Sequence, residues 1–492
     1  MDAPDKWKFL HAHPPHYTAL RLEAHEEKIV IDGKLDDIAW RRAAWTTDFV
    51  DITRHVRSAD NQVPSNVQAR AKLRWDSSFL YLGVELREPY VIANITGHNT
   101  AAGPPYHDND FEAFFDVSGT TQYYKEFEMS ARNATYDVLW GVPDGEGLEC
   151  TSCLANASAR GIPVCVNTSF PGYAGTWTMA GRGGGLASAT WTPKYRTFTS
   201  PYAVWSAEVA FPMRSQPHVH GGLLDAGPPY ARNSFEGTRA DPDSPTARRV
   251  YWHFDLARAE HPRFYSPPST ASESGTFCPL NCTGVSSDWL PQLSAPSKAQ
   301  CAEVKARWPT LLGVDPWSCY WEWVLADVGF ENAYMHRPLY WATLQLARGE
   351  ESTCGQIEWP GRYIARLILI AQRGHKAMHG VFTNSSHALL GSCALVDGCK
   401  QHCGDLTYAL VDGAPIFLVS MEAKRNGSRS IFAATIEVTT PTSQSVPSFT
   451  YVVSIDSNSK LDTWYPRTNG TSLLWPHVPS QPCLFTSNRI SL

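Results

Sequence analysis

The sequence predicts a mainly β protein: an antiparallel β-sandwich of the immunoglobulin-like or jelly-roll-like kind, followed by a small C-terminal α+β unit. Short stretches of period-two alternation recur along the first 350 residues, bounded by Gly, Pro, Asn and Ser clusters. Charged residues make up only 18%, while 18 Trp, 20 Tyr and 35 Pro are many for one chain. The one sustained helical period lies late, at residues 362–379, where Ile364, Leu367, Ile368, Ala371 and Met378 recur three and four residues apart. At roughly 150 residues per domain, the 492 residues suggest about three units, or two with long insertions.

Taken in order, residues 1–26 hold several His and Pro without periodicity and read as a loosely held N-terminal arm. A strand is expected at Lys28–Asp32, then a turn at Gly33, then the amphipathic LDDIAWRRAAW with Ile38, Ala39 and Trp45 in the core. Asp36 and Asp37 suit a helix start, where negative charge is favoured. Residues 69–86 form a hairpin that turns at Asp76-Ser77-Ser78. WSAEVAF at 205–211, RVYWHFDL at 249–256, WEWVLAD and WATLQL at 341–346 continue the sheet. The Gly-, Ser- and Thr-rich stretch 141–200 and the Pro-, Ser- and Cys-rich stretch 257–315 read as insertions in a unit spanning 27–349. Residues 355–492 form the second unit, with TYALVD, PIFLVSM, IFAATIEV and FTYVVSID as strands behind the helix.

The stretch 106–140 carries the candidate site. Phe111, Ala113, Phe115 and Val117 alternate with Asp110, Glu112, Phe114 and Asp116. The return strand sets Phe127, Met129 and Ala131 against Tyr124, Glu126, Glu128 and Ser130. Both apolar sets share a side only if the loop has an odd number of residues, since a one-residue slip flips every side chain. A loop at 117–121 pairs Glu112 with Glu126 and Asp110 with Glu128. The result is an acidic face behind a buried one, with Tyr106 and His107 at its entrance.

Net charge −6 without a basic block argues against nucleic acid, and no apolar run reaches the ~18 residues of a membrane span. Eight Asn-x-Ser/Thr acceptors (Asn94, Asn133, Asn156, Asn167, Asn281, Asn384, Asn426 and Asn469) and 12 Cys point to a secreted or secretory-lumen glycoprotein with disulfides. The first residues, MDAPDKWKFLHAHPPHYTAL, contain no apolar signal core. Cys150-x-x-Cys153 has the spacing of half a zinc site or a redox pair, and beside the acceptor sites reads better as a structural disulfide.

VIDGKLDDIAW, LRWDSSFLYLGVEL, HDNDFEAFFDVSG, YYKEFEMSARNATYDVLW, WSAEVAFP, VYWHFDLAR and WVLADVGFENAYMHRPLYWATLQL follow one another here. In that order they resemble carbohydrate-binding module family 9, over roughly residues 27–348 without the insertions. The resemblance implies an antiparallel β-sandwich, a polysaccharide or glycan as partner and no catalysis. The tail from about 355 is similar to a helix-led extension of some stand-alone relatives. In xylanase-linked members two aromatic rings clamp the terminal sugar of a glucan or xylan chain. By that resemblance Tyr106 takes the place of the first ring, Glu112 that of a carboxylate bonding hydroxyls, and Asn332 that of a polar sugar contact. Glu128, Asp255 and Met335 stand where those members carry Arg, Gln and the second Trp. Trp341, Tyr334 or Trp140 are candidates for another ring.

Other readings of the same residues remain. The acidic face is also what a solvated strand face looks like. Paired carboxylates about 5.5 Å apart are the machinery of a retaining glycoside hydrolase in carbohydrate breakdown, which makes O-glycosyl hydrolysis the alternative function. Asp108, Asp110 and Asp116, with His107, offer oxygen and nitrogen ligands for Ca²⁺, although their spacing is not that of an EF-hand loop. Beyond Ca²⁺ no cofactor is implied, and no phosphate loop, Gly-x-Ser-x-Gly or His-Glu-x-x-His occurs.

Overall fold

The computed structural model describes residues 14–51, 68–88, 105–140, 203–214, 250–259, 335–348, 358–426, 429–439 and 450–464 apart from isolated positions, together with short pieces between them. Residues 1–13, Cys150, Cys153, residues 260–315, Asp108, Asn332, Tyr334 and the side chains of His107 and Trp140 lie outside the described set.

The strands are β1 (His16–Arg21), β2 (Val50–Asp51), β3 (Ala69–Trp75), β4 (Phe79–Glu88), β5 (Asp110–Asp116), β6 (Tyr124–Ser130), β7 (Thr135–Trp140), β8 (Leu154–Ala157), β9 (Pro163–Val166), β10 (Ala187–Thr192), β11 (Ala203–Pro212), β12 (Val250–Ala259), β13 (Tyr320–Glu322) and β14 (Ala342–Ala347). They form one large curled sheet in the order β10-β11-β4-β3-β1-β14-β12-β5-β6-β7-β9-β8, with β13 pairing β12 and β2 off this path. The sheet is mixed, because β1 runs parallel to both β14 and β3 while its other pairs are antiparallel. The expected N-terminal arm therefore contains a central strand. The stretch 141–200, expected as an inserted loop, contributes β8, β9 and β10.

The curl follows from which rings meet. Along the strand order β11 and β5 are six steps apart, which would be roughly 29 Å in a flat sheet at ~4.8 Å per strand. Yet Phe115 of β5 and Phe211 of β11 meet edge to face with centroids 5.0 Å apart, and Phe127 of β6 reaches the same ring at 5.5 Å. The alternating apolar residues of β3, β4, β5, β6, β11, β12 and β14 fill the enclosed core, Phe111, Ala113, Phe115, Val117, Phe127 and Met129 among them.

The outer side of β4 and β11 is covered by residues 29–43. Lys28–Asp32 is irregular rather than a strand, and Ile38–Arg42 is a 3₁₀ turn. Trp40, not Trp45, is the tryptophan buried here, and Ile38 is 57% exposed. Gly83 makes room for it: a Cβ there would come within 2.6 Å of Leu35 and 3.2 Å of the Trp40 ring. The indole Nε1 then donates to Glu208 Oε1 at 2.7 Å, while Glu208 Oε2 accepts the Asp32 and Gly33 amides, each at 2.9 Å. Trp45 is half-buried under the cations of Arg70 and Lys72, 4.2 and 4.4 Å from its ring.

The C-terminal unit packs α1 (Trp359–His379), α2 (Ser386–Cys393) and α3 (Cys403–Thr407) on a four-stranded antiparallel sheet of β15 (Phe417–Asn426), β16 (Arg429–Thr439), β17 (Thr450–Asp456) and β18 (Leu461–Trp464). Pro360 opens α1 and left-handed Gly380 closes it. Ile364, Leu367, Ile368 and Ala371 are buried as the period required, whereas Met378 is exposed. TYALVD is not a strand. It completes α3 and continues as a π-helical turn at Tyr408–Asp412, burying Leu406 and Ala409 against the helices. Cys393 and Cys399 form a disulfide.

These burials separate two tryptophans. Trp40→Ala should cost about 3–5 kcal/mol as a core deletion, and Trp45→Ala only about 1 kcal/mol through lost ring–cation contacts. Urea unfolding of the two variants checks this, with the Trp40 variant showing much the lower midpoint.

Candidate functional site

The site grows from the β5–β6 hairpin. The connection runs over residues 117–123, not 117–121, so the odd parity holds but the register moves by two. Glu112 pairs with Glu128, Asp110 with Ser130 and Phe114 with Glu126. The longer turn is built by Asp116, whose Oδ1 accepts Ser118 Oγ at 2.8 Å and whose Oδ2 accepts the Thr121 amide at 2.7 Å. Gly119 and Thr121 both take left-handed backbone, with φ of 68° and 67°. Such a conformation is costly for Thr and persists because its surroundings fix it.

On the outer face of β5 and β6, Glu112, Glu126 and Glu128 each offer a carboxylate oxygen, and these oxygens lie within 4.8 Å of one another, all three side chains buried. Burial first, then the charges of Glu126, Glu112 and Asp110, push the Glu128 carboxyl well above its ordinary 4.5. The Tyr106 amide, which donates to Glu128 Oε2 at 3.1 Å, pulls the other way. Asp255 of β12 is buried on the same face, opposite Phe114, and Ala257 lies opposite Glu112.

Aromatic side chains close the other end. Phe114, Tyr124, Ala257, Met335 and Trp341 form one buried cluster with Tyr136 packed against it. Trp341 stacks edge-on to Tyr124 at 5.0 Å, and its Nε1 donates to the Met335 carbonyl at 2.6 Å. His336 Nδ1 lies 2.8 Å from the Tyr124 hydroxyl and Nε2 4.0 Å from Glu126 Oε1. Burial holds this imidazole below its ordinary range, with Glu126 opposing.

Of the expected site residues, Tyr106, Glu112, Glu128, Asp255 and Met335 are gathered around this face, and Asn332 lies outside the described residues. Tyr106 is half-buried at the end of the carboxyl cluster, in the 3₁₀ turn Pro105–His107. Met335 is not a rim position but part of the buried cluster, so no second ring is supplied there. Of the expected Ca²⁺ ligands, Asp110 and Asp116 stand apart. Asp110 Oδ1 accepts the Ala259 amide at 2.9 Å, whereas Asp116 serves the turn at the other end of β5. Among the described residues, the three glutamates are the acidic group with oxygens close enough to share a cation.

Tyr136 escaped the sequence reading. It pairs directly with Glu128 across β6 and β7, and is the second half-buried ring on this face. Its signal was the alternation in TYDVLW, which sets Tyr136 and Val138 on the side of Glu128 and Glu126 once β7 is placed antiparallel to β6. Chemically, the face offers carboxyl oxygens, one of them on a carboxyl that burial pushes up, with the half-buried Tyr106 and Tyr136 beside them. That combination suits a polyhydroxylated ligand with apolar ring faces.

A proton held by the folded state and released on unfolding makes stability fall as pH rises. For Glu128 the loss begins near the ordinary value of 4.5 and continues up through the raised folded value. Urea midpoints should therefore decline as pH rises above the ordinary value of 4.5, and Glu128→Gln should flatten that slope. An unchanged slope in the variant would mean that Glu128 ionises normally.

Residues 31–142 match the family model described as "Carbohydrate family 9 binding domain-like". Among solved structures, a family 9 module from Caldicellulosiruptor kristjanssonii in complex with cellotriose is 12% identical, covering 49% of this chain and 75% of that one at a TM-score of 0.23. Its glucose complex is 14% identical, covering 49% and 78% at 0.22. A putative carbohydrate-binding protein from Bacteroides uniformis is 11% identical, covering 68% and 100% at 0.32. No curated protein matches the chain. The matched family is non-catalytic, which favours a binding role over an enzymatic one. An N-terminal region of this chain, β3 to β7 included, thus matches carbohydrate-binding module family 9.

Proposed function

We propose that this is a secreted, non-catalytic carbohydrate-binding protein that takes a polysaccharide or glycan end at the outer face of β5, β6 and β7. The observation that carries the reading is half-buried Tyr106, whose amide donates to Glu128 beside a group of converging carboxyls, within the region matched to a carbohydrate-binding family. In this reading Tyr106 and Tyr136 present ring faces to the sugar, Glu112 and Glu128 fix hydroxyls, and Asp255 and Asn332 extend the polar edge. Met335 supports the floor from beneath.

The fold is best read as a sandwich whose two layers are opposite halves of the curled sheet, since Phe115 and Phe211 meet across the core. Residues 27–349 make the binding module and 355–492 the second unit. Secretion is supported by the Cys393–Cys399 disulfide and by exposed acceptor residues Asn133 and Asn384. No helix among the described residues is long and apolar enough to cross a membrane.

A glycan array followed by isothermal titration tests the site. Stacking on tyrosine should give a modest affinity, about millimolar to tens of micromolar, or roughly 4–6 kcal/mol. Tyr106→Ala should remove most measurable binding while thermal unfolding stays cooperative. Unchanged affinity in that folded variant would put the sugar elsewhere.

A further inference from the structure

Residues 335–341 face two ways. Met335, His336 and Trp341 belong to the candidate site through the buried aromatic cluster, the Tyr124 hydroxyl and Glu126. Between them, Leu339 and Tyr340 turn outward on the 3₁₀ turn Pro338–Tyr340 and enter the C-terminal unit. Leu339 packs against the core of that unit. The Arg366 guanidinium of α1 lies over the Tyr340 ring at 4.5 Å, with Tyr363 at 5.5 Å and Trp359 at 6.0 Å. Arg366 is buried, and its Nε and Nη1 have no hydrogen-bond partner among the described residues, so ring faces are what hold this cation.

A second grip falls on the hairpin turn. Arg362 Nη2 donates to the Gly119 carbonyl at 2.8 Å and lies 3.1 Å from His253 Nδ1. The Leu461 amide donates to the Thr120 carbonyl at 3.1 Å, and Thr121 Oγ1 donates to the Ser459 carbonyl at 2.5 Å. The C-terminal unit therefore holds both chain segments that shape the site, the β5–β6 turn and the 335–341 segment.

We propose that the C-terminal unit is a positioning element for the carbohydrate site, with Arg366 on Tyr340 as the clamp that sets residues 335–341 against Phe114, Tyr124 and Glu126. This rests on the proposed function for the sugar itself, but the clamp does not. Without it, Leu339 is left as this turn's contact with the C-terminal core, and the seating of Trp341 and His336 is loosened.

The test uses the full chain with Tyr340→Leu, Arg366→Ala and Arg366→Lys. Two readouts are taken: amide hydrogen exchange of residues 335–341 without ligand, and affinity for cellotriose and xylotriose by titration. Tyr340→Leu keeps the buried arginine in place and guards against an Arg366→Ala variant that fails to fold. Expected are exchange at 335–341 faster by about tenfold and affinity weaker by about tenfold in Tyr340→Leu and Arg366→Ala, with Arg366→Lys partly restoring both. Unchanged exchange in Tyr340→Leu overturns the clamp, and faster exchange with unchanged affinity overturns its positioning role. If the wild type binds neither sugar, the glycan reading fails, while exchange still decides whether the clamp orders the segment.

Discussion

Three glutamate carboxyls held within 4.8 Å of one another and away from water are the constraint around which this structure is arranged. Burial and the neighbouring charges push the Glu128 carboxyl well above its ordinary range, and the backbone fixes where the three side chains stand. Each element near them contributes to that placement. The β5–β6 register sets Glu112 opposite Glu128, the Tyr106 amide fixes one Glu128 oxygen, and the His336–Tyr124 pair stands beside Glu126.

Two other buried polar anchors hold the scaffold. Glu208 gathers Trp40 and the Asp32–Gly33 turn onto β11, tying the covering segment 29–43 to the sheet. Burial raises its carboxyl to about 7, although three donors oppose the shift. Asp116 closes the hairpin turn, and the C-terminal unit seals it from outside through Arg362, Ser459 and Leu461. The family match spans the hairpin turn but neither Glu208 nor the C-terminal unit, yet that turn makes contacts with residues more than 240 positions later.

Much of this was legible in the sequence, and the limits have physical causes. Alternation with period two assigns a face to every residue of DFEAFFD and YKEFEMS, so both the buried and the acidic sets could be read directly. Register was not legible to the residue, because the turn that sets it is stabilised by Ser459, Leu461 and Arg362, far away in the chain. TYALVD shows the opposite failure: a short apolar run suits a strand or a helix, and docking of Leu406 and Ala409 on α1 decided for helix. Trp45 was preferred to Trp40 because nothing local reveals that Gly83 leaves a slot for an indole. The strand at His16–Arg21 was hidden among His and Pro residues, since its pairing with β14 joins positions more than 320 residues apart. For the site, residue types and alternation pointed to Tyr106, Glu112 and Glu128 and the family resemblance added Asp255, whereas Tyr136 needed the β6–β7 pairing to come into view.

The central claim is that sugar is bound over the carboxyl floor with Tyr106 at its edge. A crystal structure of the full chain with the highest-affinity oligosaccharide from a glycan array tests it most directly. The account predicts a pyranose ring against the Tyr106 face, with hydroxyls in hydrogen-bond reach of Glu112 or Glu128. Density for the sugar on any other surface, with the floor unchanged, would contradict it.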